Sequence, residues 1–417
     1  MKIENLRLEK NGDTIAARAS VTWEDNDRPR QELFFETEAV YEDSLSCNPN
    51  AFLLACAIPA LHFRERRVFM EEEVCPELVD GLNTAMHWLR HWYYEPERKI
   101  VTIEARKQSQ ILNSDMPKRA GFFFSGGVDS FATLKSNRLN FPATHPWSIK
   151  DGLVAYGLEL EDLDSFEYVT EMLKEVAPAV GIDLIPVKTN IYLEYRAEDR
   201  KDKFDFWIYK FQGAVLAALA HAFSNRLAVL SIAATFDLPY LGLWGSHPLL
   251  DPQYSSVDLR IRHDGLALSR LKKVEMIKDW DIALNNLRVC NQGKRYESGK
   301  LNCGRCEKCI RTALELLAVD RLDRCAALPY DDVTADMVRQ YGDIHDDYVR
   351  SCFTDLIPAL NRIGRMDLVR AVEHRMDIYD AKKKGSKTLI EKIKEFDQQD
   401  LNRHLTRLKR KLTKDGN

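Results

Sequence analysis

Residues 120–140 read AGFFFSGGVDSFATLKSNRLN: an apolar run, two adjacent glycines, then a segment of helical character from about Asp129 to Arg138. A buried-type strand that turns at paired glycines directly into a helix makes an anion cradle. Gly126 and Gly127 let the backbone turn tightly and approach a ligand, while the amides opening the helix point at the anion and its dipole favours negative charge. Ser125 and Ser130 add hydroxyl donors, and Asp129 is placed to orient the loop or to hold a Mg2+ that neutralises phosphate. The stretch is not a Walker A loop, because GxxxxGK[ST] is absent, nor is it a GxGxxG dinucleotide turn.

C-terminal to this loop, strands and helices alternate. Strands are predicted at 120–124, 152–158, 183–189 and 226–233, with helices at 129–138, 165–180 and 205–224. Alternation of this kind means an α/β fold with a parallel sheet covered on both faces. A fifth strand at 259–263 and a helix at 269–280 lead into a cysteine cluster. On the N-terminal side, strands at 2–9, 14–23 and 31–38, helices at 51–63 and 76–93, and a strand starting near Lys99 read as an α+β domain over residues 1–117. The polar stretch RKQSQILNSDMPKR marks its boundary. The α/β core then covers residues 118–312, and residues 313–417 form a helical region whose last 37 residues hold 12 Lys or Arg against 5 Asp or Glu. That basic tail is read as a solvated helix face in preference to an RNA contact.

The 417 residues are 45% hydrophobic and 30% charged, which excludes collagenous and largely disordered classes. Sixty basic against 64 acidic side chains leave no whole-chain basic field for nucleic acid or membrane. No apolar stretch approaches the roughly 18 to 20 residues of a bilayer span, and the N-terminus lacks the apolar core of a signal peptide. A cytoplasmic protein with no membrane partner is the expectation.

Of nine cysteines, four cluster: Cys290, then Cys303-Gly-Arg-Cys306-Glu-Lys-Cys309. Four thiolates at this spacing suit a closed tetrahedral Zn2+ site, with nearby Arg288, Arg305, Lys308 and Arg311 offsetting its charge. An iron–sulfur cluster is the alternative, and Cys325 or a histidine could stand in for Cys290 as fourth ligand. Cys47, Cys56, Cys75 and Cys352 read as buried apolar thiols. In the loop after the fourth core strand, Trp244, Ser246, His247 and Asp251, together with Arg262 on the fifth, are candidates for substrate contact, since open α/β sheets bind ligands at their C-terminal edge. Turn chemistry and core packing are the competing readings for these residues.

Ser125-Gly126-Gly127-Val128-Asp129-Ser130 resembles the SGGxDS motif of the PP-loop ATP pyrophosphatases. The resemblance implies that Phe124 to Ser130 bind the pyrophosphate of ATP with Mg2+, that Ser125, Asp129 and Ser130 are the catalytic positions, and that an oxygen of the substrate is adenylated. An SGGxDS loop followed by a Cx(n)CxxCxxC knot is similar to the 7-cyano-7-deazaguanine synthase (QueC-like) family over about residues 119–312. Members adenylate 7-carboxy-7-deazaguanine and add ammonia, with a structural zinc. The family's GxNxxDxSGYPDCR-like substrate segment is replaced here, and the regions before and after the core have no counterpart in the short synthase. Extended QueC-like proteins also resemble components of anti-phage operons, some of which attach a deazaguanine to a partner protein's N-terminus.

The resemblance therefore implies an ATP-dependent C–N ligase acting on a deazaguanine-like small-molecule carboxylate, the nitrogen coming from ammonia or from an amine of a protein acceptor. A tRNA-modifying PP-loop enzyme, which keeps nucleic acid open as a partner, and a non-catalytic nucleotide-binding scaffold are the alternatives. A homodimer is one assembly left open.

Overall fold

The computed structural model describes residues 1–108, 118–158, 162–195, 205–292 and 299–386. It forms two compact units, Met1–Asp332 and Val333–Asn417. The first is built on one ten-stranded sheet. Its strands are β1 (Lys2–Asn11), β2 (Thr14–Thr22), β3 (Gln31–Glu38), β4 (Arg67–Val74), β5 (Thr102–Lys107), β6 (Arg119–Phe123), β7 (Ile149–Tyr156), β8 (Asp183–Thr189), β9 (Leu227–Ala233) and β10 (Arg260–Asp264). They lie in the order β10-β9-β6-β7-β8-β3-β2-β1-β4-β5. All pairs from β10 to β8 are parallel, as are β1–β4 and β4–β5, whereas the pairs β8–β3, β3–β2 and β2–β1 are antiparallel. The α/β class with a mostly parallel sheet stands as expected.

The helices of this unit are α1 (Pro49–His62), α2 (Pro76–Tyr93), α3 (Val128–Asn140), α4 (Leu163–Val176), α5 (Ile191–Tyr195), α6 (Gln212–Ala222), α7 (Arg270–Ile277), α8 (Asp281–Asn285) and α9 (Glu307–Ala318). Helix α1 is capped by the Asn48 side chain, which accepts from the Asn50 amide, and every residue from Asn50 to Leu61 is buried. It packs on the alanine-rich α6, whose small side chains permit close approach. Together the two helices cover one face of the sheet with a single apolar cluster that runs from Ile3, Leu33 and Phe35 to Leu153, Ile185, Leu230 and Ile261. Alternation along the strands turns Phe122 to the other face, where its ring meets Phe124 and, through it, Phe131 of α3.

This packing corrects the expected domain layout. Residues 1–108 are not a separate α+β domain, because β3 adds to the edge of β8 in the pairs Phe35↔Thr189, Glu36↔Lys188 and Thr37↔Val187. The seam is reinforced by Thr37 Oγ1 donating to Pro186 O (2.7 Å), Thr189 Oγ1 to Phe34 O (2.7 Å) and Tyr41 Oη to Leu184 O (2.7 Å). The expected boundary itself, at residue 117, lies outside the described residues. The break expected after residue 312 falls inside α9, and the compact unit continues to Asp332. Strand β4 escaped sequence reading because RVFMEEEV is rich in charge at its exposed end.

The helix expected over 205–224 is interrupted by a π turn at Trp207–Phe211. There the loop at Gly245 wedges in, its N–H donating to Ile208 O (2.7 Å) and its carbonyl accepting from Gly213 N (2.9 Å). The second unit is helical as expected, with α10 (Ala335–Tyr341), α11 (Asp347–Arg362) and α12 (Met366–Ser386). The basic tail beyond 386 lies outside the described residues. Among the described residues, no helix is long and apolar enough to cross a membrane.

Candidate functional site

Within the parallel half of the sheet, β6 leads to β7 and β8 on one side, and β9 and β10 lie on the other. The chain reverses its direction of travel between β6 and β9, and at such a switch point the loops leaving adjacent strands diverge and leave a crevice. The glycine loop leaves β6 at that point. Phe124 N still donates to Leu153 O (2.9 Å), Gly126 turns at φ +72°, and Gly127 precedes the first turn of α3. Ser125 Oγ accepts from Gly127 N (3.3 Å), and Ser130 Oγ donates to Gly127 O (2.9 Å), so both hydroxyls brace the turn. The first-turn amides of α3, at Val128, Asp129 and Ser130, have no acceptor within the helix.

Behind the loop, the Asp129 carboxylate receives Lys273 Nζ (2.9 Å) and Arg270 Nη1 (3.5 Å) from α7. Lys273 is only 2% exposed and also donates to the carbonyls of Ala234 and Thr235 just past β9, which ties the two strand ends of the switch point together. Burial alone pushes the Asp129 carboxyl upward, but the charges of Lys273 and then Arg270 carry it below its ordinary value. Arg270 continues the network to Glu315 Oε2 (3.1 Å) and Thr312 Oγ1 (3.1 Å), and Arg311 joins Glu315 (3.7 Å) and Glu307 (2.5 Å). Of the two roles expected for Asp129, orienting the loop fits this arrangement. A Mg2+ ligand fits poorly, because both carboxylate oxygens already face cations.

In front of the loop lies the segment entering the cysteine cluster. Arg288 N donates to Gly126 O (2.8 Å), and its Nη1 lies 3.4 Å from Ser125 O. This segment is held by buried Asn302, whose Oδ1 accepts from Val289 N (2.9 Å) and Cys290 N (3.2 Å) and whose Nδ2 donates to Leu287 O (2.7 Å) and Ala327 O (2.9 Å).

Cys290, Cys303, Cys306 and Cys309 place all four Sγ atoms within 4.8 Å of one another. Separations of 3.3 Å (Cys290–Cys303), 3.7 Å (Cys290–Cys306) and 3.5 Å (Cys306–Cys309) approach the edge of about 3.8 Å that a tetrahedron of 2.3 Å zinc–sulfur bonds requires. Gln292 N and Arg305 N point at the sulfurs of Cys290 and Cys303 (3.3 and 3.4 Å), as suits thiolates. These four cysteines could hold a metal ion such as zinc. Cys290 is the fourth member of the set; Cys325 instead donates to Leu284 O (3.0 Å), and burial pushes its thiol up to about 11.

The five substrate candidates do not converge. Arg262 lies on the α3 face, stacked over Trp147 (4.7 Å) and Phe141 (5.8 Å) and paired with Asp264 (2.7 Å). It borders a small groove of about 80 Å³ that also reaches Asp129 and Lys273. Trp244, Ser246, His247 and Asp251 gather elsewhere, against the start of α6. Trp244 Nε1 donates to Gln212 Oε1 (3.0 Å), and fully buried Asp251 receives Ser246 Oγ (2.7 Å), His247 N (3.3 Å) and His263 Nδ1 (2.7 Å). For these four, bracing of the loop accounts for the hydrogen bonds seen.

No protein-family model, curated protein or solved structure matches this chain. Sequence reading missed Lys273 and Arg270, and gave Arg288 only the task of offsetting thiolate charge. A signal was present: Arg270, Lys273 and Ile277 share one face of a short helix, so two cations stand on its buried side.

Gly126→Ala tests the turn. A Cβ there meets a left-handed φ and lies 2.9 Å from Leu173 Cδ2, so a loss of about 1–2 kcal/mol is expected by urea unfolding.

Proposed function

We propose that this chain is an ATP-dependent ligase that forms AMP and pyrophosphate. The observation that carries the proposal is the paired-glycine turn at the sheet's switch point, with first-turn α3 amides that have no acceptor within the helix and the Asp129–Lys273–Arg270 network behind. That arrangement supports binding of a polyphosphate chain by Phe124, Ser125, Gly126, Gly127, Val128, Asp129 and Ser130. Mg2+, when bound, would neutralise phosphate charge and is assigned to the nucleotide and water, since Asp129 is occupied.

The chemistry follows from the loop's charge preference. A carboxylate oxygen of the substrate attacks the α-phosphorus of ATP, the bond from that phosphorus to the bridging oxygen breaks, and pyrophosphate leaves with its charge stabilised by the amides that held it. A nitrogen nucleophile then attacks the acyl carbon, AMP departs with the bonding pair, and the nitrogen releases a proton to water. The resemblance of this loop and four-cysteine knot to the QueC-like family makes 7-carboxy-7-deazaguanine the carboxylate of choice, with ammonia or a protein amine as acceptor and anti-phage defence as the setting in the second case. Beside Arg262, the small groove of about 80 Å³ that also borders Asp129 and Lys273 supports a place for the substrate's carboxylate group alone.

Pyrophosphate release from ATP with Mg2+ is expected to depend on added 7-carboxy-7-deazaguanine and to fall by about 100-fold or more in Asp129→Asn and Asp129→Ala. Mass spectrometry of the products with ammonia or with a candidate protein identifies the acceptor. Release that ignores the deazaguanine removes that substrate, and no nucleotide binding at all removes the ligase reading.

A further inference from the structure

We infer that Arg288 is a phosphate ligand, supplying the cation that the glycine loop otherwise lacks. The inference rests on the nucleotide reading above and deepens it by naming a residue that reads the polyphosphate chain. Arg288 is only 9% exposed, yet its Nε has no hydrogen-bond partner, and among the described residues no carboxylate pairs with it. Among the described residues, its one side-chain hydrogen bond is the long one to the Ser125 carbonyl, 3.4 Å from Nη1. A largely buried guanidinium whose Nε–H is buried without a partner is costly unless something anionic arrives to meet it.

The other cations at the loop are already spent. Lys273, Arg270 and Arg311 are matched within their network by Asp129, Glu315 and Glu307. A di- or triphosphate bound at the α3 amides would meet a cluster whose charge is balanced, with Arg288 as the uncompensated cation touching the turn. Its backbone is locked to that turn through Gly126 O, and Asn302 and Cys290 lock the segment from the far side, so the guanidinium is pre-positioned at the cost of stability in the empty protein. The planar fork suits two phosphate oxygens at once.

The test uses the full chain with inorganic pyrophosphate, ATP and AMP as separate probes in calorimetry, alongside zinc content and the melting temperature without ligand. Arg288→Ala is expected to weaken pyrophosphate and ATP by about 10- to 100-fold while leaving AMP nearly unchanged, with Arg288→Lys in between. Zinc content should hold, and the melting temperature of the empty protein should stay level or rise. Unchanged pyrophosphate affinity in Arg288→Ala, with the original chain binding normally, overturns the assignment and leaves the nucleotide reading standing. Loss of zinc or of melting temperature in parallel with affinity overturns it too, in favour of Arg288 offsetting the thiolates. Failure of the original chain to bind pyrophosphate or ATP overturns both.

Discussion

Lys273→Met is expected to lower stability by about 3 kcal/mol and to invert the acid dependence of unfolding. The methionine fills the apolar part of the site but removes the strongest partner of Asp129, and breaking one side of a buried ion pair strands the other. The sign of the pH effect follows. In the unaltered chain, Asp129 titrates below its ordinary 3.8, so its contribution is complete above that value and is lost as pH falls through the lower folded pKa. Without Lys273, burial is opposed only by the charges of Arg270 and Arg311, and the carboxyl is expected to titrate above its ordinary value. Stability then decreases as pH rises above about 4, because the folded state holds a proton that the unfolded chain has already released. Urea midpoints measured from pH 3 to 7 should therefore slope in opposite directions for the two proteins. Parallel slopes would mean that Arg270 alone governs Asp129.

Cys306→Ser should have the other large effect. The purified chain is expected to carry one zinc, and the variant none. A structural tetrahedral zinc contributes several kcal/mol to the fold around it. Here its loss reaches the loop by two routes: through Cys290 and Asn302 to Arg288 and Gly126, and through α9, which carries Cys309, Arg311 and Glu315, to Arg270 and Asp129. Amide exchange at Val289 and Cys290 should accelerate by about 100-fold or more, and pyrophosphate binding should fall with it. Full pyrophosphate affinity in a zinc-free chain would show that the knot does not support the loop.

The two features legible in the sequence, the Ser125–Ser130 turn and the four cysteines, are short-range: their chemistry is decided within about twenty residues, where spacing carries the information. What escaped reading is long-range. Arg270 and Lys273 lie more than 140 residues from Asp129, and Arg288 is 163 from Ser125. Nothing in local periodicity reports such a meeting. Ser246, His247 and Asp251 show the converse difficulty, since residue types common in active sites also suit a buried carboxylate that pins a loop, and composition does not separate the two. The first three strands were recognised, but not that they extend the same sheet, because strand partners are chosen by edges that exist only in the folded protein.

That shared sheet sets a timetable for synthesis. Thr37 must wait for Pro186, 149 residues later, before β3 has its neighbour. At roughly 5 to 20 residues per second, the nascent chain carries an open strand edge for about 7 to 30 seconds. The site-bearing half, in turn, reaches the ribosome exit with its flank already made and waiting, so the residues before the glycine loop act on this protein as a template laid down in advance.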